Sequence, residues 1–281
     1  MITLQEVQDA LDSYAKINEF LYVLHDRKPV LRILLSPQQR DKVVALFKRA
    51  DLHYSFARMR IRVQQDPKLG YSNKGAVSSD EGAFIMYAGK RSELVHKAQE
   101  AEQDGDHVLL GRILGYPPCC CRFFSTHFPE QSEKDNDYVL PMIQASDHDN
   151  LVEARYPWKN NVFVRYGDFA LLSHFPCHLG CSESQQLAET YWQVIQHFRP
   201  KYAEMTENML KWAVLYMPYS GVFFLRGAVR SGTAVSFSHV TATARSSMFT
   251  HLDTHKKLAL LGPDSVQMGQ ACEKGYLLVF S

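Results

Sequence analysis

The sequence predicts an α+β fold in which helices pack on a small mixed sheet and the C-terminal part is rich in β-strands. Apolar residues recur every three to four positions through residues 4–24 and 187–198, which is the spacing of a helix face. They alternate with arginines through residues 54–63, the pattern of a half-buried strand, and form short runs between turns after residue 230. The composition, 46% hydrophobic and 22% charged, is that of an ordinary globular protein.

The N-terminal elements are predicted to be structural. Thr3 and Glu6 form a capping box, so we expect one helix over residues 4–24. Ser36 and Pro37 suit the cap and the first position of a second helix.

Residues 54–63 are predicted to form a strand that carries Arg58, Arg60 and Arg62 on one face. Guanidinium groups arranged in this way can bind phosphate or a carboxylate, although a solvated face with surface ion pairs is the more common arrangement. A loop, a buried strand and a helix are predicted to follow, over residues 66–79, 82–88 and 91–101.

The middle of the chain carries three adjacent cysteines in the segment GYPPCCCRFF. A short helix is predicted to end at Gly115, whose tolerance of positive φ suits a C-terminal cap, and Pro118 is predicted to open the next helix. Successive residues of a helix point about 100° apart. We therefore expect one or two of Cys119, Cys120 and Cys121 to face a site and the others to pack.

A second cysteine segment, SHFPCHLGC, follows a strand predicted over residues 162–172, whose end is expected to present His174 and Cys177. Ser182 and Gln185 form a capping-box signature at the start of the next helix. Beyond it the pattern predicts a further helix and a hairpin turn, over residues 200–217 and 218–221.

Three regions are expected to form one compact unit. They are an N-terminal helical and strand region, a core with the cysteine motifs and a C-terminal α/β extension, over residues 1–80, 81–200 and 201–281. The 31 basic and 30 acidic residues give a net charge of +1, so no overall field attracts nucleic acid or an anionic membrane. Neither a signal peptide nor a spanning segment is predicted, and the expected compartment is the cytoplasm.

The clustering of five of the six cysteines in two segments predicts a metal site, because thiols stay reduced in the cytoplasm. The contiguous cysteines and the C-x3-C pair do not match common zinc spacing, so an iron–sulfur cluster of the [4Fe–4S] type is favoured over zinc. The predicted ligands are four thiols, Cys119, Cys120, Cys177 and Cys181. His174 and His178 are further candidates, while each cysteine taken singly is interpreted as a small buried residue.

Two other features carry weaker signals. His251, Asp253 and His255 could bind a divalent metal from one face of a strand or helix, but an exposed polar stretch is the favoured interpretation. Cys272 stands alone and is interpreted as structural.

The pairing of GYPxCCxxFF with SHxPCx3C resembles the motifs of a prokaryotic family catalogued as domain of unknown function 483. The resemblance covers residues 84–198 and rests on residues 115–124 and 173–181. No activity is established for that family, and Cys121 is an extra thiol beside its pattern. The resemblance implies a shared role for five residues, Cys119, Cys120, His174, Cys177 and Cys181.

These observations together predict a metal-dependent enzyme of biosynthesis, in which an iron–sulfur centre acts on a small polar metabolite. Substrate and proton-transfer groups are expected from four residues, His174, Asp147, His148 and Arg165. One alternative is a zinc-stabilised module that binds protein, or RNA through the arginine strand face; nucleic acid is the less favoured partner and no membrane partner is expected. Another is a metal-free thiol enzyme, with Cys119 or Cys120 as nucleophile and His174 as base.

Overall fold

The computed structural model describes residues 2–64, 74–78, 80–134, 138–146, 154–218 and 220–281, and it confirms the α+β prediction. Ten α-helices lie in these ranges: α1 Leu4–Leu11, α2 Tyr14–Leu24, α3 Arg40–Arg49, α4 Ser92–Gln103, α5 His107–Ile113, α6 Pro118–Lys134, α7 Val139–Gln144, α8 Ser182–Phe198, α9 Pro200–Leu210 and α10 Ser247–His255. None of the helices in the described ranges is both long and apolar enough to cross a membrane.

The described strands form three sheets. The strands are β1 Val30–Leu35, β2 His53–Gln64, β3 Lys74–Ser78, β4 Ala83–Gly89, β5 Arg155–Tyr156, β6 Ala213–Met217, β7 Gly221–Arg226, β8 Val229–Ser231, β9 Ala234–Ser236, β10 His239–Ala242, β11 Lys257–Gly262, β12 Ser265–Met268, β13 Ala271–Lys274 and β14 Tyr276–Phe280. Their orders are β1-β4-β2-β3, β10-β7-β6-β14-β5 and β13-β12-β11-β9-β8.

The sheets connect the three regions expected from the sequence. β4, which follows the expected boundary at residue 80, lies between β1 and β2, so the N-terminal region and the core share one antiparallel sheet. β14 pairs antiparallel with β6 and parallel with β5, which joins the C-terminal extension to the middle of the chain. The second sheet is therefore mixed, as predicted.

Apolar side chains form three buried clusters. The largest lies between one face of the first sheet and helices of both the N-terminal region and the core, where the rings of Tyr22 in α2 and Tyr191 in α8 stack at 4.0 Å. The opposite face of that sheet packs on α4 and α5 through residues such as Ile85 and Val95. The third cluster, with Leu252 of α10, joins strands of the second and third sheets.

The prediction of one helix over residues 4–24 is wrong, because the chain breaks between α1 and α2. Asp12 adopts the left-handed conformation, with φ of 45°, and Ser13 caps α2. The Asp168 carboxylate accepts hydrogen bonds from the Ser13 hydroxyl and the Tyr14 N–H, both at 2.7 Å. A distant carboxylate thus holds the start of α2, and the helical spacing of the sequence does not reveal this contact.

The strand predicted over residues 162–172 is also wrong. Residues Val162–Gly167 form a 3₁₀ helix, which buries three successive apolar side chains in the largest cluster. Asn161 fixes this turn: its side chain accepts a hydrogen bond from the Phe163 N–H and donates one to the Leu210 carbonyl.

The helix predicted over residues 200–217 ends early. α9 stops at Leu210, and the five residues of β6 that follow are all buried in the second sheet. A run buried on both faces has no helical or strand periodicity, so tertiary packing decides its conformation.

The turn between the first cysteine segment and α5 is confirmed. Gly115 has a φ of +81°, its N–H donates to the Arg112 carbonyl, and the Tyr116 N–H donates to the Gly111 carbonyl. Pro118 opens α6, as its fixed φ and missing N–H predict. These local devices place the three adjacent cysteines in the first turn of a helix.

Replacing Gly115 by alanine should destabilise the protein more than the same change at Gly105. Both residues have positive φ, which disfavours alanine by about 1–2 kcal/mol. An added Cβ at Gly115 would lie 2.8 Å from Pro29 Cδ, whereas at Gly105 it would meet nothing within 4 Å. Urea unfolding should therefore give a further loss of roughly 1 kcal/mol or more for Gly115→Ala, and equal losses in the two variants would contradict this packing argument.

Candidate metal centre

Four cysteine sulfur atoms, from two segments of the chain, lie within 4.8 Å of one another. The Sγ atom of Cys119 lies 3.7 Å from those of Cys120 and Cys181, and the Sγ atoms of Cys120 and Cys181 are 3.8 Å apart. Cys177 completes the group, and its N–H donates to Cys120 Sγ at 3.3 Å. The four predicted ligands are thus brought together, in a group able to hold a metal ion.

Two helix N-termini meet at these sulfur atoms. Cys119 and Cys120 lie in the first turn of α6, and Cys181 is the N-cap of α8, where its Sγ accepts a hydrogen bond from the Ser184 N–H at 3.5 Å. Ser182 is therefore the first residue of α8, and its predicted role as the cap is wrong. Both helix dipoles direct positive potential at the sulfur atoms, which favours thiolates over thiols.

Cys121 lies outside the group. Its side chain is buried, and its Sγ is directed at the Tyr116 carbonyl at 3.6 Å. It packs so closely on α5 that a Cβ added at Gly111 would lie 2.7 Å from Cys121 Sγ. Of the three adjacent cysteines, Cys119 and Cys120 therefore face the site and Cys121 packs, as helix geometry predicts.

Residues 168–181, the cysteine loop, contain no helix or strand and are held by side chains from other elements. Asn160, which is fully buried, donates from Nδ2 to the carbonyls of Leu179 and Cys181 at 3.1 and 3.0 Å. The Ser146 hydroxyl accepts a hydrogen bond from the Leu179 N–H at 3.0 Å. Buried polar backbone groups need such partners, so these contacts fix the loop in place.

Two cations hold the first half of the cysteine loop. Arg165 donates from one guanidinium nitrogen to the carbonyls of Leu172 and His174 at 2.9 and 3.1 Å. Lys28 donates to the Ser173 hydroxyl at 2.7 Å. Lys28 is buried and Arg165 is half-buried, so two cations hold the loop that carries Cys177 and Cys181.

The thiols have unequal acidity. Hydrogen bonds from Cys120 and Cys177, together with those from Ser184, hold the pKa of the Cys181 thiol well below its usual range. The same contacts to Cys177 and Cys181 raise the pKa of Cys120, and burial raises that of Cys119 to about 12. Without a cation the group thus favours one thiolate, and a bound metal ion would allow the remaining thiols to ionise.

His174 is buried beside the cysteine group, with its Nε2 2.9 Å from the Ser184 hydroxyl. Burial, together with the charges of Lys28 and Arg165, lowers the pKa of His174 to about 3. The ring therefore contacts a serine rather than a sulfur atom. His178, half-buried, also lies outside the group of sulfur ligands found among the described residues.

The other predicted catalytic residues are placed differently. Arg165 stacks on Phe175, with its guanidinium carbon 4.2 Å from the ring centroid, and supports the cysteine loop through its hydrogen bonds. Asp147 and His148 lie outside the described residues, so their predicted roles remain predictions.

The second candidate metal site, formed by His251, Asp253 and His255, lies on α10. The rings of His251 and His255 pack at 4.3 Å, and Asp253 forms an ion pair with Lys256. Among the described residues, none of these three joins a group of metal-ligating side chains. Cys272 is exposed on β13 and lies 3.3 Å from the Ser265 hydroxyl.

Sequence reasoning missed several residues around the site. Lys28 forms a 2.7 Å ion pair with Glu19, and its ammonium lies 4.7 Å from the ring centroid of Tyr116. A lysine near an N-terminal helix is usually exposed, so no pattern indicates this burial. Ser184 was detectable, because it lies three residues after Cys181, at the spacing of a capping interaction.

No family model matches the chain, and comparisons with curated proteins and with solved structures find no match. The resemblance to domain of unknown function 483 therefore rests on its motif residues alone.

The His174 ring should remain neutral from pH 8 to pH 5. Its folded pKa of about 3 lies below the ordinary value of 6.5, so protonation favours the unfolded chain. This contribution to stability is complete above pH 6.5 and is lost as the pH falls toward 3. Long-range ¹H–¹⁵N spectra, assigned with His174→Gln, measure the ring directly, and a protonation midpoint above pH 5 would show that the site is more hydrated than its geometry implies.

Proposed function

We propose that Cys119, Cys120, Cys177 and Cys181 bind one tetrahedral zinc ion that stabilises the folded arrangement of a binding module. The spacing of the sulfur atoms is the observation that supports this most directly. Metal–sulfur bonds of about 2.3 Å to a tetrahedral ion place the sulfur atoms about 3.8 Å apart. The separations among the sulfur atoms of Cys119, Cys120 and Cys181 are 3.7, 3.7 and 3.8 Å, and that of Cys177 lies within 4.8 Å of all three.

The predicted iron–sulfur cluster fits this spacing less well. A cluster inserts several iron and sulfide atoms among its thiolates, which must then lie further apart than the ligands of a single ion. All four sulfur atoms lie within 4.8 Å of one another, so a cluster would require them to separate. A single iron ion would fit the same tetrahedron, and metal analysis distinguishes it from zinc.

Four thiolates also favour a structural role over a catalytic one. Catalytic zinc usually keeps one position open for water or substrate, whereas sites with four cysteines are closed. Here the ion would join the first turn of α6 to the cysteine loop that precedes α8.

The metal-free thiol enzyme has less support. Ser184 lies between His174 and Cys120, and the pKa of Cys120 is raised by its hydrogen bonds with Cys177 and Cys181. A nucleophilic cysteine needs a lowered pKa and a base in contact with it.

Purified protein should contain one zinc per chain and no acid-labile sulfide. Cys177→Ser should reduce the zinc content strongly, because a neutral hydroxyl is a much poorer zinc ligand than a thiolate. Cys121→Ser and Cys272→Ser are matched controls and should retain the metal. Elemental and sulfide analysis measures all four proteins, and iron with sulfide in comparable amounts would overturn the proposal.

Amide hydrogen exchange tests the structural role of the zinc ion separately. Removing zinc with a chelator should increase amide exchange in the cysteine loop and the first turn of α6, while the first sheet stays protected. Unchanged exchange in a zinc-free protein would show that the ion does not stabilise the fold.

A second candidate function, RNA binding, is favoured by the arginine face of the first sheet. The guanidinium carbons of Arg40 and Arg60 lie 5.3 and 4.1 Å from the ring centroid of Phe84, and Arg58 is exposed. Stacked arginine and aromatic side chains are a common platform for single-stranded RNA. Arg62 pairs with Glu81, and Arg40 forms a longer ion pair of 3.8 Å with Asp41.

RNA binding predicts salt-dependent affinity for a single-stranded oligonucleotide. Replacing Arg40 and Arg60 together by alanine should weaken binding and reduce the slope of log affinity against log salt by about 1.4, or about 0.7 for each charge. Arg91→Ala, just before α4, is the control, because Arg91 is exposed and paired with Glu93. Fluorescence anisotropy measures the affinity, and no binding by the wild-type protein would eliminate this candidate.

A further inference from the structure

Ser184 connects His174 to the cysteine group through hydrogen bonds on both sides. Its hydroxyl oxygen lies 3.2 Å from Cys120 Sγ and 2.9 Å from His174 Nε2. Its backbone N–H donates to Cys181 Sγ. Ser184 is completely buried and His174 is 6% exposed, so water cannot replace either contact.

The direction of these hydrogen bonds follows from the chemistry of the groups. A metal-bound thiolate can only accept, so the single hydroxyl proton of Ser184 must be donated to Cys120. The hydroxyl oxygen then accepts from His174, which must carry a proton on Nε2. Among the described residues the Nδ1 atom of His174 has no hydrogen-bond partner. This favours the same tautomer, because the other one would bury an N–H without an acceptor.

The surrounding side chains hold the imidazole ring in this orientation. The ring packs on Tyr116 at 4.9 Å between centroids, and the Tyr116 hydroxyl lies 3.1 Å from that of Ser173. Arg165 donates to the His174 carbonyl. Nε2 is thereby aimed at Ser184 by contacts on both the ring and the backbone.

The negative charge of the proposed centre explains why the orientation of the Ser184 hydroxyl matters. Four thiolates and one divalent ion carry a net charge of −2, and every hydrogen bond donated to a thiolate offsets part of it. The Cys177 N–H and the Ser184 hydroxyl both donate to Cys120.

We propose that His174 and Ser184 are positioning residues, which direct one hydroxyl proton onto Cys120 and so increase the affinity of the site for its metal. This inference rests on the proposed zinc centre and assigns no chemical step to His174.

Metal affinity, measured on the chain of 281 residues, tests the hydrogen-bonded connection from His174 through Ser184 to Cys120. Ser184→Ala and His174→Leu should each weaken zinc binding by about 10–100-fold, the usual effect of losing such an outer contact. Their effects should not add in the double variant, because both act on the same hydrogen bond to sulfur: Ser184→Ala removes it, and His174→Leu removes the group that orients the hydroxyl. His174→Gln should retain most of the affinity, because its side-chain amide can donate in place of Nε2. Ser182→Ala, at an exposed neighbouring position of α8, is the matched control.

The absorption spectrum of bound cobalt(II) is a second measurement. A purely structural role of Ser184 and His174 would leave it unchanged. The thiolate-to-cobalt charge-transfer absorption should shift in Ser184→Ala and His174→Leu but not in His174→Gln. If His174→Leu fails to fold, Ser184→Ala carries the test, because it removes a single oxygen atom.

The two proposals fail in different ways. A wild-type protein that binds neither zinc nor cobalt overturns the metal centre itself. If the wild-type protein binds them and Ser184→Ala leaves the affinity and the spectrum unchanged, only the proposed role of Ser184 and His174 is overturned.

Discussion

The convergence of two helix N-termini on four thiol groups is the constraint on which the rest of the site depends. Thiols at this spacing are stable either as a hydrogen-bonded group that shares one negative charge or as thiolates around a cation. The first turn of α6 supplies two of them from adjacent positions, and the segment leading into α8 supplies the others. The dipoles of α6 and α8 favour the ionised form of the thiols at both helix N-termini.

The irregular backbone of the cysteine loop follows from this convergence. A strand rises about 3.3 Å per residue, so Cys177 and Cys181, four residues apart, would lie about 13 Å from each other and could not join one group of sulfur atoms. The loop instead satisfies its buried backbone groups with side chains such as Asn160, Ser146 and Arg165. Buried cations in turn need nearby negative charge. Glu19 supplies it to Lys28.

If the metal site is closed, the binding function must belong to another part of the fold. Four thiolates leave no position for a substrate on a single ion, so the proposed zinc would stabilise the molecule while a different surface binds the partner. The arginine and aromatic side chains at the first sheet are the surface that we propose for this role. Metal content and RNA affinity are independent measurements, so either proposal can fail without the other.

The sequence alone determined the identity of the four clustered thiols and the turn at Gly115 and Pro118, because spacing, proline geometry and positive φ are local properties. It also gave the α+β class through local periodicity. Only the tertiary structure decided the break before α2, the 3₁₀ helix and loop in place of a strand at residues 162–172 and the contact of His174 with Ser184. Each of these depends on a contact between distant parts of the chain: Asp168 with the start of α2, Asn161 with the Leu210 carbonyl, and Ser184 with His174. Hydrophobic spacing carries no information about such contacts, because the partners meet only when the chain is folded.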